Sequence, residues 1–158
     1  MDEVICSERG IELIKKYEGL HDGDTSTAIL EPCRDPIGLW TLGWGSIFGI
    51  DGHRVTAAHR AIGFPEADEL FFRDITRTER CLLRLVQVDV SENEWAAICS
   101  LTYNIGSGNF QSSTLRSRLN RDDRAGAADE FLKWVYAKKR KLPGLIRRRA
   151  EERALFIA

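Results

Sequence analysis

Apolar residues recur along the chain with two rhythms. Ile11, Ile14 and Tyr17 are spaced three apart behind Ser7, a helix-capping residue, and Gly19 follows Glu18 where a helix in this phase would close. The pattern predicts a first helix ending at Glu18. From Asp35 to Ile50 the rhythm shortens to alternation broken by Pro and Gly, which predicts a β-hairpin or small meander. In an extended chain Leu39, Thr41 and Gly43 share one face there, and Trp40, Leu42 and Trp44 share the other. Helical spacing then returns. Thr56 is placed to cap a short helix over TAAHRAIG, and Pro65 opens a longer one from about Glu66 to Val86, carrying Leu70, Phe71, Ile75, Leu82 and Leu85. Ser91 with Glu94 forms a capping box for a helix that carries Trp95, Ile98 and Leu101. GSGN at residues 106–109 breaks it, and further helices are predicted at about 113–120, 124–136 and 145–156, with Pro143-Gly144 before the last. HDGDTSTAILEP, residues 21–32, is rich in turn formers and follows neither rhythm.

One helix, a small sheet and then helices alone predict an α+β fold. The sheet is too small to hold its own core and must close over a helical body, which leaves a cleft between two unequal lobes. The 158 residues suit one domain: a small β-containing lobe over about 19–64, and a helical lobe over about 86–158 plus the N-terminal helix, joined by the long helix. With 43% hydrophobic and 30% charged residues, the composition excludes a largely disordered chain.

Net charge is −1, so no overall field draws the protein to an anionic partner. Its distribution is uneven. From Met1 to Asp35 acids outnumber bases nine to four, whereas from Lys133 onward there are nine Lys/Arg and two Glu. A solvated helix face, an anionic polymer partner and mutual attraction of two lobes all fit. The basic residues interleave with Leu145, Ile146, Leu155 and Phe156 and form no recognised nucleic-acid motif, which argues against a nucleic-acid partner. MDEVICSERG has neither a positive n-region nor an apolar h-region, and no run approaches the ~18 apolar residues of a membrane span, so neither a signal peptide nor membrane insertion is expected. Cys6, Cys33, Cys81 and Cys99 lack CxxC spacing and His partners. They read as reduced thiols with no metal and no cofactor, Cys81 and Cys99 as core, with a disulfide open to them only in an oxidising compartment.

Three polar residues stand out chemically. Glu18 ends a helix, where the negative pole disfavours an ionised carboxylate. In a cleft that excludes water, burial would add to that effect, and a carboxyl kept protonated near neutral pH is what a general acid requires. Taken alone, Glu18 is better read as an exposed acid at a helix end. Asp35 precedes Pro36-Ile37-Gly38 and suits the first position of a turn. Thr41 is a good strand former, and it is also placed to hold a water with a carboxylate as second partner. Gly43 and Gly45 would leave open backbone on the Thr41 face for a bulky ligand. Two acids and a water position match the needs of an inverting glycosidase, whose carboxyls stand roughly 6.5–9.5 Å apart.

Glu18-Gly19 followed by Asp35-x-x-Gly38-x-x-Thr41-x-Gly43-x-Gly45 resembles the phage-type lysozymes of glycoside hydrolase family 24. Two more blocks match in order, LTYNIGSGNFQSSTLRSRLN at 101–120 and WVYAKKRKLPGLIRRRAEERALF at 134–156, so the resemblance covers nearly the whole chain. It implies a lysozyme-like α+β fold and hydrolysis of the β-1,4 bond between N-acetylmuramic acid and N-acetylglucosamine in peptidoglycan. By the same resemblance Glu18 protonates the leaving oxygen, and Asp35 and Thr41 position and activate the water. Tyr103, Asn104 and Thr114 would line the saccharide groove from the helices, with Ile47 from the sheet side. Arg147 or Arg148 would partner Glu18. A monomer acting on peptidoglycan glycan strands is implied, made in the host cytoplasm and reaching the periplasmic wall through a holin or another delivery system.

Two departures from the family pattern are plain. Sixteen residues separate Glu18 from Asp35, more than the family usually has, and the turn-rich stretch at 21–32 holds the extra ones. Ser46 stands where the family commonly has a His of structural role. The competing reading is a peptidoglycan-binding or scaffolding module that kept a muramidase fold without activity. A lytic transglycosylase needs no Asp-held water, so Asp35 and Thr41 argue against it.

Overall fold

The computed structural model describes residues 5–19 and 29–158, so residues 21–28 of the turn-rich segment lie outside the described residues. The chain divides into two compact units, one of Lys15–Asp74 and one of Ile75–Ala158 with the segment up to Ile14. In chain order the elements are α1 (Glu8–Glu18), β1 (Cys33–Arg34), β2 (Trp40–Thr41), α2 (Phe64–Leu85), α3 (Glu92–Ile105), α4 (Ser107–Gln111), α5 (Thr114–Leu119), α6 (Arg124–Phe131), β3 (Tyr136–Ala137), β4 (Arg140–Lys141) and α7 (Pro143–Phe156). No helix among the described residues is long and apolar enough to cross a membrane.

The unit Lys15–Asp74 is built around a small cluster of Leu30, Leu42, Val55, Ile62, Ala67 and Leu70, with Trp40, Trp44 and Phe64 packed against it. Antiparallel β1 and β2 pair Cys33 with Thr41 and Arg34 with Trp40. Single bridges Leu42↔Ser46, Phe48↔Arg54 and Leu30↔Ile62 extend the meander that the alternation predicts. Polar anchors hold it to the first half of α2. Asp68 accepts from Lys15 Nζ at 2.7 Å and from Trp44 Nε1 at 3.1 Å, while the Lys15 ammonium sits 4.9 Å from the Trp44 ring centre. The Arg73 guanidinium donates to the carbonyls of Phe48 and Gly49, each at 2.8 Å.

The run T-x-G-x-G is less of a strand than its alternation suggests. Strand β2 stops at Thr41, and residues 43–45 form a three-residue turn closed by the Leu42–Ser46 backbone pair. Gly43 and Gly45 have φ of +56° and +90°, values a side chain strains to adopt. Gly43 is therefore not an open backbone surface for a ligand. It is buried, and a Cβ there would lie 2.8 Å from the Ala67 Cβ and 3.3 Å from the Ala67 Cα. Gly43→Ala is expected to lower stability by about 2–3 kcal/mol, the sum of a strained left-handed residue and overpacking against α2. Urea unfolding would read this as a lower midpoint with an unchanged slope.

The short helix expected over residues 56–63 does not form. Its first residues close a turn instead: Thr56 Oγ1 accepts from Ala58 N at 3.3 Å, and His59 Nδ1 accepts from Thr56 N at 3.1 Å. Ile62 is then drawn into backbone pairing with Leu30. A single isolated turn repays little of the cost of helix nucleation, so the bridge wins.

The second unit is helical. The stretch Trp95–Thr102 of α3 is buried throughout, and α7 packs against it, with α6 against α5 and α7. The predicted capping box is present: Ser91 N donates to Glu94 Oε2 at 2.7 Å, and Glu94 N donates to Ser91 Oγ at 3.2 Å. Helix α6 stops at Phe131, five residues short of the predicted end, and a hairpin follows in which Tyr136 pairs with Lys141 and Ala137 with Arg140. Its two loop residues, Lys138 and Lys139, have φ of +48° and +64°, as a tight two-residue hairpin turn of this hand requires. Helix α7 begins at Pro143, whose missing N–H costs nothing at a first helical position.

Candidate active site

Glu18 owes its place to the residue behind it. Gly19 takes φ +61°, and its N–H closes on the Lys15 carbonyl at 3.0 Å, which ends α1 with Glu18 as last residue. That is the ending the sequence predicts. Glu18 is half-buried.

Asp35 opens the turn between β1 and β2. Its N–H donates to the Leu39 carbonyl at 2.9 Å, and its carbonyl accepts from Gly38 N at 2.9 Å. One carboxylate oxygen, Oδ1, accepts from both Ile37 N (3.0 Å) and Leu39 N (2.8 Å). The turn chemistry expected of Asp-Pro-Ile-Gly is thus present, with Gly38 at φ +89°. Two backbone donors on one oxygen fix the orientation of the whole carboxylate.

Thr41 is buried in β2 opposite Cys33 and lies outside the apolar cluster that takes Trp40, Leu42 and Trp44. Its hydroxyl donates to the Cys33 carbonyl at 3.2 Å. Paired residues of an antiparallel ladder share a face, and so do alternate residues of one strand. Asp35 is the first residue past β1, two positions beyond Cys33, the ladder partner of Thr41, so alternation carried one step into the turn would put it on the Thr41 side. Ile47, half-buried, belongs to the same unit, and its carbonyl accepts from Val55 N at 2.9 Å.

The remaining sequence candidates lie in the helical unit. Tyr103 is half-buried on α3, Asn104 is exposed one residue on, and Thr114 is the exposed first residue of α5, just past its cap Ser113. Arg147 is exposed. Arg148 is buried, donating from Nε to Glu152 Oε1 at 3.0 Å and from Nη2 to the Ser100 carbonyl at 3.2 Å.

Sequence reasoning missed the centre of this network. Glu152 is wholly buried and meets Arg148, Arg149 (Nη1 to Oε2, 2.8 Å) and the Ser100 hydroxyl (2.6 Å). Burial pushes its carboxyl above the ordinary range, against the pull of Arg149, Arg148 and Ser100. Arg149 in turn donates to Asn104 Oδ1, so the one saccharide candidate on α3 with an amide side chain is oriented from within the core. A signal existed: Arg148 and Arg149 stand four and three residues before Glu152, the helical spacing of ion pairs. Nothing in a run of arginines announces that they are inside.

The Phage lysozyme family model matches residues 16–152. The chain is 39% identical over 155 residues to an endolysin of Acyrthosiphon pisum secondary endosymbiont phage 1, covering 95% of this chain and 96% of that protein. It is 35% identical over 153 residues to the endolysin of Salmonella phage P22, covering 96% of this chain and 97% of that one. A crystal structure of a P22 lysozyme mutant matches with a TM-score of 0.76 at 33% identity, covering 100% of both chains. The lysozyme-like α+β architecture expected from the sequence is the one these proteins share.

Proposed function

The chain belongs to the Phage lysozyme family, and on that premise we propose that it is an endolysin-type muramidase, hydrolysing the β-1,4 bond between N-acetylmuramic acid and N-acetylglucosamine with inversion at the anomeric carbon. Glu18 is the general acid that protonates the leaving oxygen. Asp35 is the base and Thr41 its partner in holding the attacking water. Ile47, Tyr103, Asn104 and Thr114 contact the saccharide. The reading extends to a monomer that is made in the host cytoplasm and acts on the periplasmic cell wall, which it reaches through a holin or another delivery system.

The observation that supports the mechanism is the position of Asp35 just past the strand that pairs Cys33 with Thr41. Because the Thr41 hydroxyl gives its proton to the Cys33 carbonyl, its oxygen faces a water as an acceptor. The Asp35 carboxylate is an acceptor as well, steadied by two amides on Oδ1. A water that donates one hydrogen to each keeps a lone pair for the anomeric carbon. Asp35 then takes the proton as the new C–O bond forms and Glu18 gives one to the departing oxygen, so the pair of carboxyls ends with its proton count unchanged.

Asp35→Asn is expected to slow clearing of cell-wall suspensions by about 10²–10⁴-fold, the usual worth of a positioned base. Thr41→Ala, which deletes one hydrogen bond to the water, is expected to cost roughly tenfold. Mass spectrometry of the released fragments should find reducing muramic ends, and proton NMR of fresh product should show the α-anomer. Anhydro ends, a β-anomer or full clearing by Asp35→Asn would each overturn this assignment.

A further inference from the structure

Cys6 and Cys99 meet in the interior of the helical unit, although 92 residues of chain separate them. Cys6 precedes α1, and its backbone is pinned from α2: the N–H groups of Ile5 and Cys6 both donate to the Glu79 carboxylate, which also accepts from Trp95 Nε1 at 3.1 Å. Ala96 and Cys99 lie one turn apart on α3. Gly10 makes the meeting possible, since a Cβ on it would lie 2.5 Å from Cys6 Sγ and 2.8 Å from the Ala96 Cβ. The first turn of α1 thus rests on α3 with the Cys6 sulfur between them. Both thiols are buried, and their sulfurs lie within 4.8 Å of one another and of a Glu79 oxygen. Cys33 and Cys81 stand apart from this cluster among the described residues.

We propose that Cys6 and Cys99 are a disulfide site, closed when the protein meets a small-molecule disulfide oxidant and open in a reducing compartment. In the first step the Cys6 thiolate attacks one sulfur of the oxidant, forming a mixed disulfide and releasing one thiol. In the second the Cys99 sulfur attacks Cys6, the second thiol leaves, and the two cysteine protons end on the two released thiols. The order follows from the surroundings. The adjacent Cys6 thiol, burial and the Glu79 charge all push the Cys99 thiol up, so Cys99 is the weaker first nucleophile. Cys6 reaches the oxidant by release of the two backbone hydrogen bonds to Glu79, a local opening that leaves α3 in place. The closed form ties the start of α1 to α3 and cross-links a long stretch of the unfolded chain.

The test uses the intact protein equilibrated with oxidised or with reduced glutathione. Oxidation is expected to lower the intact mass by two hydrogens, to cut the thiols titrated in denaturant from four to two, and to yield a peptide pair joining Cys6 to Cys99. The Tm should rise by on the order of 10 °C, a shift reversed by dithiothreitol. The shift should persist in Cys33→Ser/Cys81→Ser and vanish in Cys6→Ser; Cys99→Ala provides a second single variant if that one fails to fold. Four titratable thiols after oxidation, or a link through Cys33 or Cys81, would overturn the proposal. So would stoichiometric zinc retained with both thiols shielded, which would make the cluster a metal site.

Discussion

Glu18→Gln is expected to reduce cell-wall clearing by about 10²–10⁴-fold, while the variant still binds purified peptidoglycan. The amide keeps the shape of the side chain and offers hydrogen bonds, but it has no proton to give. A sugar alkoxide is a poor leaving group, so losing the donor strikes the bond-breaking step. Gln is isosteric with Glu and keeps its hydrogen-bonding capacity, and at the last residue of α1, the negative pole of the helix, a neutral side chain is not penalised. Urea unfolding is therefore expected to agree with the parent within about 1 kcal/mol. Clearing within tenfold of the parent would remove Glu18 from the role of acid, and loss of clearing together with unfolding would assign it a structural one.

The second large effect is on stability. Glu152→Ala is expected to cost about 3–5 kcal/mol, because it leaves the buried Arg148 and Arg149 without their shared carboxylate. For a chain of this size the Tm should fall by roughly 10 °C or more. Replacing the whole group should behave differently. Arg148→Met, Arg149→Leu and Glu152→Leu together remove every charge at once and are expected to recover most of the loss, since buried ion pairs seldom outperform well-packed apolar side chains. The triple variant would also deprive Asn104 of its Arg149 donor. Stability regained with weakened saccharide affinity would show that the network serves binding; stability and affinity regained together would show that it serves only the fold.

Local rules explain what the sequence made visible. The Glu18-Gly19 ending and the Ser91/Glu94 box each depend on residues within four positions, and the structure carries both. The turn at Asp35-Pro36-Ile37-Gly38 was legible for the same reason, and with it the catalytic proposal. Failures arose where tertiary contacts override local preference. Residues 56–63 have a cap and a helical composition, yet Ile62 is claimed by Leu30. The turn at Lys138-Lys139 lacks the Asn or Gly that usually marks such hairpins, so the helix pattern seemed to run through it. Gly43 reads as open strand until Ala67 appears beneath it. In α7 Arg148 and Arg149, which look solvent-facing by type, are among the most buried of the described residues, while Arg147 beside them is exposed.

The grip of Arg73 on Phe48 and Gly49 has a consequence for how this protein diversifies. Both contacts are to main-chain carbonyls, which every amino acid possesses. The course of the segment bearing Ile47 is thereby insulated from the identity of its own side chains. Substitution of Ile47, proposed above to contact the saccharide, is expected to alter sugar preference without derailing the backbone, provided that Arg73 stays and that Gly49 is kept, since a Cβ there would lie 2.9 Å from both Asp51 and His59. Under that proposal the residue that reads the sugar can vary alone, because the main chain beneath it is held through carbonyls and not through side chains.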